Sequence, residues 1–149
     1  MISIDETFLK RNKEISKELD CINFADYIHL LSYQYKIKQS DYTIESHDID
    51  ISKLICPQHY YTKSLYNKIA SHQAYLDEPL VVVRTHDTIK FYLIIGNTRA
   101  KVAYDLGRTQ LPAIVLFTYN DSLEHDLERS SFSDAGCIRH VKDLEGADV

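Results

Sequence analysis

Four stretches, Glu78-Pro-Leu-Val-Val-Val-Arg84, Lys90-Phe-Tyr-Leu-Ile-Ile-Gly-Asn-Thr-Arg99, Ala100-Lys-Val-Ala-Tyr-Asp-Leu-Gly107 and Leu111-Pro-Ala-Ile-Val-Leu-Phe117, follow one another almost without interruption. The first is a β-branched run led by a proline, which reads as a strand. His86-Asp-Thr88 reads as a turn, and Lys90–Ile95 is the strand that returns, so the pair forms a hairpin. The second strand runs straight into Gly96. A helix is expected over Arg99–Leu106, closed by Gly107 as its C′ residue. Pro112–Phe117 is a further apolar strand.

Upstream, Thr62–Ser71 repeats Leu65, Tyr66 and Ile69 at helical spacing, with Thr62 as cap. Pro57 interrupts the chain before it. Tyr42–Ser46 and Asp48–Leu54 alternate polar and apolar residues and read as two short strands. Two amphipathic helices are expected at Asp5–Leu19, capped by Ser3 or Asp5, and at Asn23–Gln39, capped by Asn23. Downstream, one helical turn near Leu123–Arg129 and a loop over 130–136 precede an end expected to be mobile. The reading is one α+β domain: a helical extension over 1–41, a core over 42–117 and an acidic tail over 118–149.

Composition narrows the function classes. The 149 residues are 44% hydrophobic and 26% charged, with four glycines and three prolines, as in an ordinary globular domain. No apolar run approaches the ~20 residues of a membrane helix, and the first residues lack a basic region followed by an apolar one, so a cytoplasmic protein is expected. Cys21, Cys56 and Cys137 are odd in number and widely spaced, and no structural metal is expected. Net charge is −5, which argues against DNA as a partner for the isolated chain. The charge is uneven, however. Over 84–117 stand Arg84, Lys90, Arg99, Lys101 and Arg108 against Asp87 and Asp105, so this segment can face an anion.

A strand entering glycine and then a helix is a general anion-binding arrangement, because the first helical turn exposes unpaired N–H groups at the positive end of the helix dipole. Gly96, Asn97 and Thr98 form the turn, Arg99 adds a forked donor and Lys101 follows two positions on. The competing structural account is that Asn97 or Thr98 caps the helix while Arg99 pairs with Asp87 or Asp105.

As a connected series, residues 48–117 resemble the ParB/sulfiredoxin-like (ParB-like N-terminal, "ParB-like nuclease") domain family. The matching parts are the strand at Asp48–Ile55, the polar loop Cys56–Tyr61, the helix at Thr62–Ser71, the Pro-led strand, the Gly96-Asn-Thr-Arg99 turn, the helix ending Ala103-Tyr-Asp-Leu-Gly107 and the closing Leu111-Pro-Ala-Ile-Val115. The resemblance implies a mixed sheet with packed helices, and a Gly-x-x-Arg turn that approaches nucleotide phosphates. The implied ligand is a nucleotide (CTP, ATP or ADP), with Mg²⁺ if phosphoryl transfer or hydrolysis occurs. Gln58, His59, Tyr60, Tyr61 and Glu78 are expected to wall the pocket, with His59 as the candidate base.

The chain also departs from active relatives. Asn97 stands where sulfiredoxins carry the catalytic cysteine, so that activity is not expected. Thr98 stands where serine-kinase relatives carry a histidine, and the Cys56–Tyr61 loop holds no carboxylate. A second reading is therefore a non-catalytic interaction module of immunity or inhibitor type, its acidic surface and eleven tyrosines suited to a basic protein partner. A third is a DNA-binding accessory of a partition-like system, which would use Arg99–Arg108.

Overall fold

A computed structural model describes residues 4–85, 90–133 and 135–148. The expected turn at 86–88, the Ser3 cap and Asp134 in the predicted loop lie outside the described residues. In chain order the elements are α1 (Glu6–Glu18), α2 (Phe24–Tyr35), β1 (Tyr42–Asp50), β2 (Leu54–Ile55), β3 (Tyr60–Thr62), α3 (Lys63–Ser71), β4 (Leu80–Thr85), β5 (Phe91–Ile95), α4 (Asn97–Asp105), β6 (Gln110–Thr118), α5 (Asp121–Ser130) and β7 (Glu145–Ala147). Short 3₁₀ turns link several of them.

A five-stranded mixed sheet in the order β1-β6-β4-β5-β2 organises the molecule. β1 pairs antiparallel with β6 from Tyr42↔Thr118 to Asp50↔Gln110, and β4 runs parallel to β6. β4 and β5 form the expected antiparallel hairpin. β3 and β7 make a separate parallel pair. The architecture is α+β, as the sequence implies.

Alternation along the strands sends side chains to both faces of the sheet. On one face Ile49, Val82, Leu93 and Val115 pack with Ile69 of α3 and with Ala100 and Ala103 of α4. On the other, Val81, Val83, Tyr92, Ile114 and Leu116 pack with Phe24, Tyr27 and Leu31 of α2 and with Leu123 and Leu127 of α5. Each large apolar side chain buried this way contributes roughly 1.5–3 kcal/mol.

The N-terminal helices serve both layers. Leu19, at the end of α1, belongs to the first face and Phe24, at the start of α2, to the second. The four residues between them must therefore cross the rim of the sheet, and half-buried Cys21 touches both cores. Asp20 takes the left-handed conformation (φ 50°) that turns the chain there.

Three expectations change. Tyr42–Asp50 is one uninterrupted strand rather than parts of two, because β6 supplies partners along its whole length. It ends where the Asp50 carboxylate accepts from Ser52 N and Oγ at 3.0 and 2.8 Å and starts a 3₁₀ turn. α2 stops at Tyr35, four residues early, because Lys36 is left-handed (φ 55°) and its N–H returns to Leu31 O. Finally, the chain end is built into the fold. α5 is ten residues long and capped by Asn120, Val141 and Leu144 lie in the core, and β7 pairs with β3. The acidic composition of this segment hides the few apolar residues that anchor it. No helix among the described residues is long and apolar enough to cross a membrane.

Candidate functional site

β5 delivers the chain to Gly96 at φ 113°, a left-handed conformation that disfavours any side chain. Space forbids one as well: a Cβ there would collide with Leu80 Cδ2 and would sit 3.1 Å from Arg99 Nη2. Gly96 is the N-cap of α4 and gives no side-chain cap. The first intrahelical bond runs from Ala100 N to Gly96 O at 2.9 Å. The N–H groups of Asn97, Thr98 and Arg99 therefore precede the helical ladder, where the helix dipole is positive.

Neither Asn97 nor Thr98 caps the helix. Both reach instead to the segment around β3. Asn97 Nδ2 donates to Gln58 Oε1 at 3.2 Å and to Tyr60 O at 3.3 Å. Thr98 Oγ1 accepts from Thr62 N at 3.1 Å. Asn97 is 7% exposed, and its Oδ1 is buried without a hydrogen-bond partner among the described residues. Its side-chain donor is spent on the opposite wall and its acceptor is idle.

Arg99 does not pair with Asp105, which takes the Tyr66 hydroxyl at 2.7 Å and Lys101 at 3.8 Å; Asp87 lies outside the described residues. Arg99 is buried, and its Nη1 donates to Glu78 O at 2.9 Å and Pro79 O at 3.2 Å. Burial pulls its pKa below the ordinary arginine value, while the Cys21 thiol and the Glu78 carboxylate pull it back up. An arginine so placed stays protonated. Both of these hydrogen bonds start at Nη1, and Nη2 lies beside Gly96.

The turn opens on a cavity of about 230 Å³ lined by Gly96, Asn97, Thr98 and Arg99 from α4 and its cap, and by Gln58, Tyr60 and Thr62 opposite. Asp20, Cys21 and Ile22, from the α1–α2 crossing, also line it. Sequence reasoning missed these three. Their one signal is the pair of apolar residues flanking the crossing, Leu19 and Phe24, and nothing in the sequence says that these pack on opposite faces.

The other expected residues stand elsewhere. Lys101 turns to the far side of α4, where Nζ donates to Lys142 O at 3.3 Å and lies over the rings of Tyr61 and Tyr104. Two positions beyond Arg99 on a helix is a rotation of about 200°, which carries the side chain away from the cavity. Tyr61, alternating with Tyr60 on β3, packs against Tyr66 with ring centroids 5.4 Å apart. The buried Glu78 carboxylate pairs with Arg11 of α1. His59 stacks on Tyr60 at 5.8 Å and meets Arg139 Nη2 at 3.2 Å. It lines a different hollow, of about 350 Å³, with Ser133, Cys137, Arg139 and Asp143.

Among the described residues no group of three His, Cys, Asp or Glu is placed to hold a metal ion. Asp50 in particular is committed to Ser52, whose hydrogen bonds hold its carboxyl below the usual range.

No family model matches the sequence, and no curated protein matches it. Solved structures do resemble the fold. Protein Atu1540 from Agrobacterium tumefaciens superposes with a TM-score of 0.51 at 14% identity, over 70% of this chain and 63% of that one. A Pnob8-like ParB-N domain gives 0.44 at 15% identity, over 61% of this chain and 36% of that one. The C-terminally truncated chromosome-partitioning protein ParB from Caulobacter crescentus, complexed with CTP-gamma-S, gives 0.38 at 21% identity, over 58% and 50%. The chain thus spans less than two thirds of each. At 14% identity the likeness to protein Atu1540 is one of fold alone.

Proposed function

We propose that the chain binds a phosphate-bearing ligand, a nucleotide by preference, at the turn Gly96–Arg99. One observation carries this reading: an uncapped helix N-terminus opens on a cavity whose wall also holds a buried arginine. The N–H groups of Asn97, Thr98 and Arg99 would take phosphate oxygens, as helix N-termini do. Arg99 adds a full positive charge, made more effective by its removal from water. Gly96 lets the ligand approach the backbone closely.

The side chains of Asn97 and Thr98 act differently from the backbone beside them. They fasten the turn to Gln58, Tyr60 and Thr62 and so hold the two walls at a fixed separation. Preorganised walls spare the ligand the cost of ordering them. Tyr60 presents one ring face to the ligand, its other face lying on His59. Asp20 is the carboxylate among the lining residues. A Mg²⁺ bound with a nucleotide would be held through the phosphates, with Asp20 as the carboxylate on the cavity wall. His59, Lys101 and the Glu78 carboxylate have no part in this binding.

The test is calorimetric titration with CTP, ATP, ADP and GTP, each with and without Mg²⁺, alongside amide NMR. Saturable binding that shifts the amides of Asn97, Thr98 and Arg99 is expected. Arg99→Lys, which keeps the charge but loses the fork, should weaken it at least tenfold. Absence of binding up to millimolar ligand would sink the reading and favour an interaction module with a protein partner.

A further inference from the structure

The cavity at the α4 turn borders the loop that precedes β3. Gln58 and Ile94 line it, and the same two residues line a second hollow of about 180 Å³. This second hollow lies where α2 and α5 face the end of β5. Its walls include Tyr27, Leu30 and Leu31 from α2 and Leu123 and Leu127 from α5. The two spaces share a boundary and differ in chemistry. One ends on helix N–H groups, an arginine and an amide; the other is mostly apolar, lined by leucines and by Tyr27 and Tyr35, with the amides of Gln34 and Gln58 among its polar groups.

Size and cost both argue for joint use. Sites for cofactor-sized molecules span ~300–1,000 Å³. Neither space reaches that range alone, and together they do. Leu30 is left 38% exposed at the outer edge of the second hollow, and apolar surface open to water costs about 25 cal/mol per Å². A ligand that covers this edge recovers that cost. Inorganic phosphate held at α4 cannot reach it.

Resting on the anion reading above, we infer that the ligand is an anion with an attached uncharged body, and that this body passes between Gln58 and Ile94 into the hollow between α2 and α5. The shared chemistry is a phosphate joined to a group that is apolar on its faces. A nucleoside meets it, with its base edge toward the Gln34 and Gln58 amides, and an alkyl phosphate meets it without that edge.

The experiment compares ligands with and without the body on the whole chain. CTP and ATP are titrated against tripolyphosphate, and hexyl phosphate against inorganic phosphate, by calorimetry and amide NMR. At least one body-bearing ligand should bind ten times or more tighter than its bare counterpart. It should shift the amides of Leu30, Leu31 and Leu123 as well as those of the α4 turn; which ligand does so separates the nucleoside from the alkyl source. Leu30→Glu should weaken that ligand about tenfold and leave tripolyphosphate within twofold. Gln34→Glu, at an exposed position, repeats the test should Leu30→Glu fold poorly. Equal affinity with and without the body, or shifts confined to Asn97–Arg99, would overturn this inference and leave the anion reading standing. No binding by any of these ligands would overturn both.

Discussion

Two buried arginines hold this molecule together, and they are used differently. Arg139 is 4% exposed and Arg99 is 5% exposed, and each spends its guanidinium on main-chain carbonyls. Arg139 Nη1 donates to Cys56 O and Ser130 O, both at 3.0 Å, and Nη2 donates to Phe132 O at 3.2 Å and meets the His59 ring. With the longer contact of Nη1 to Pro57 O (3.5 Å), its terminal nitrogens engage four carbonyls from two stretches of chain, 56–57 and 130–132. Arg99 engages its carbonyls through Nη1 and keeps Nη2 beside Gly96, and its residue lines the cavity. An arginine with both terminal nitrogens consumed is a clasp. One that holds the fold with part of its fork can use the rest on a ligand.

The contrast breaks most readily at Arg139. Arg139→Ala strands several buried carbonyls at once, each worth about 1–3 kcal/mol when left unpaired. The expected loss is about 3 kcal/mol or more by urea unfolding. Earlier proteolytic cleavage after residue 131 should accompany it, because the guanidinium ties this segment to residues 56–59, beside the Cys56 N bond to Arg139 O (2.9 Å) and the His140 Nδ1 contact with Leu54 O (3.0 Å). A loss below about 1 kcal/mol would show that solvent replaces the clasp and that the two arginines are not distinct in role.

Gly96→Ala comes next. The residue must adopt φ 113° with its Cβ against Leu80, which is fully buried. The backbone strain alone costs about 1–3 kcal/mol, and shifting Leu80 disturbs the first core. Stability should fall, and nucleotide affinity should fall with it because the N–H groups of the α4 turn move. Full stability with lost affinity would place the glycine's role in ligand approach alone.

Arg99→Ala should destabilise less than Arg139→Ala, since it strands two carbonyls and not four, while costing more in ligand affinity. The expected affinity loss is at least tenfold, about 1.4 kcal/mol. For Arg139→Ala, any affinity change should track the fraction unfolded. Reversal of that order in either measurement would exchange the two assignments.

The contrast between these arginines explains what could be read in advance. The hairpin, the Gly96 turn and α4 were legible because each depends on local chemistry: β-branched alternation, a glycine where φ is positive, and a strand ending in a helix. The walls around that turn depend on distant pairings. Tyr60 and Tyr61 are adjacent and alike in sequence, yet in β3, paired with β7, Tyr60 lines the cavity while Tyr61 packs on Tyr66. By charge Lys101 suits the turn, but the helical rotation places it over Tyr104 and Tyr61. Arg139 stood in a segment that composition marks as a polar tail. Nothing local distinguishes a solvated arginine from one that closes four carbonyls, and the apolar pair Leu19 and Phe24 marks the α1–α2 crossing only once the two are seen to pack in different cores.

The cysteines provide the gentlest test, because one lies in each arginine's neighbourhood and a third lies beneath. Cys21 is half-buried on the Arg99 cavity, Cys137 is exposed on the Arg139 hollow, and Cys56 is fully buried. Alkylation requires a thiolate in reach of the reagent. Burial pushes the Cys56 thiol up to about 12, against the opposing charge of Arg139, so Cys56 should stay unmodified until the chain unfolds. Cys137 should react first and Cys21 more slowly. A nucleotide bound at the α4 turn should slow Cys21 severalfold and leave Cys137 unchanged, as followed by mass spectrometry of iodoacetamide-treated protein. Protection of Cys137 instead would move the ligand to the hollow between His59 and Arg139. Because the two thiols report on separate spaces in one folded sample, a general stabilisation by ligand cannot imitate selective protection of either.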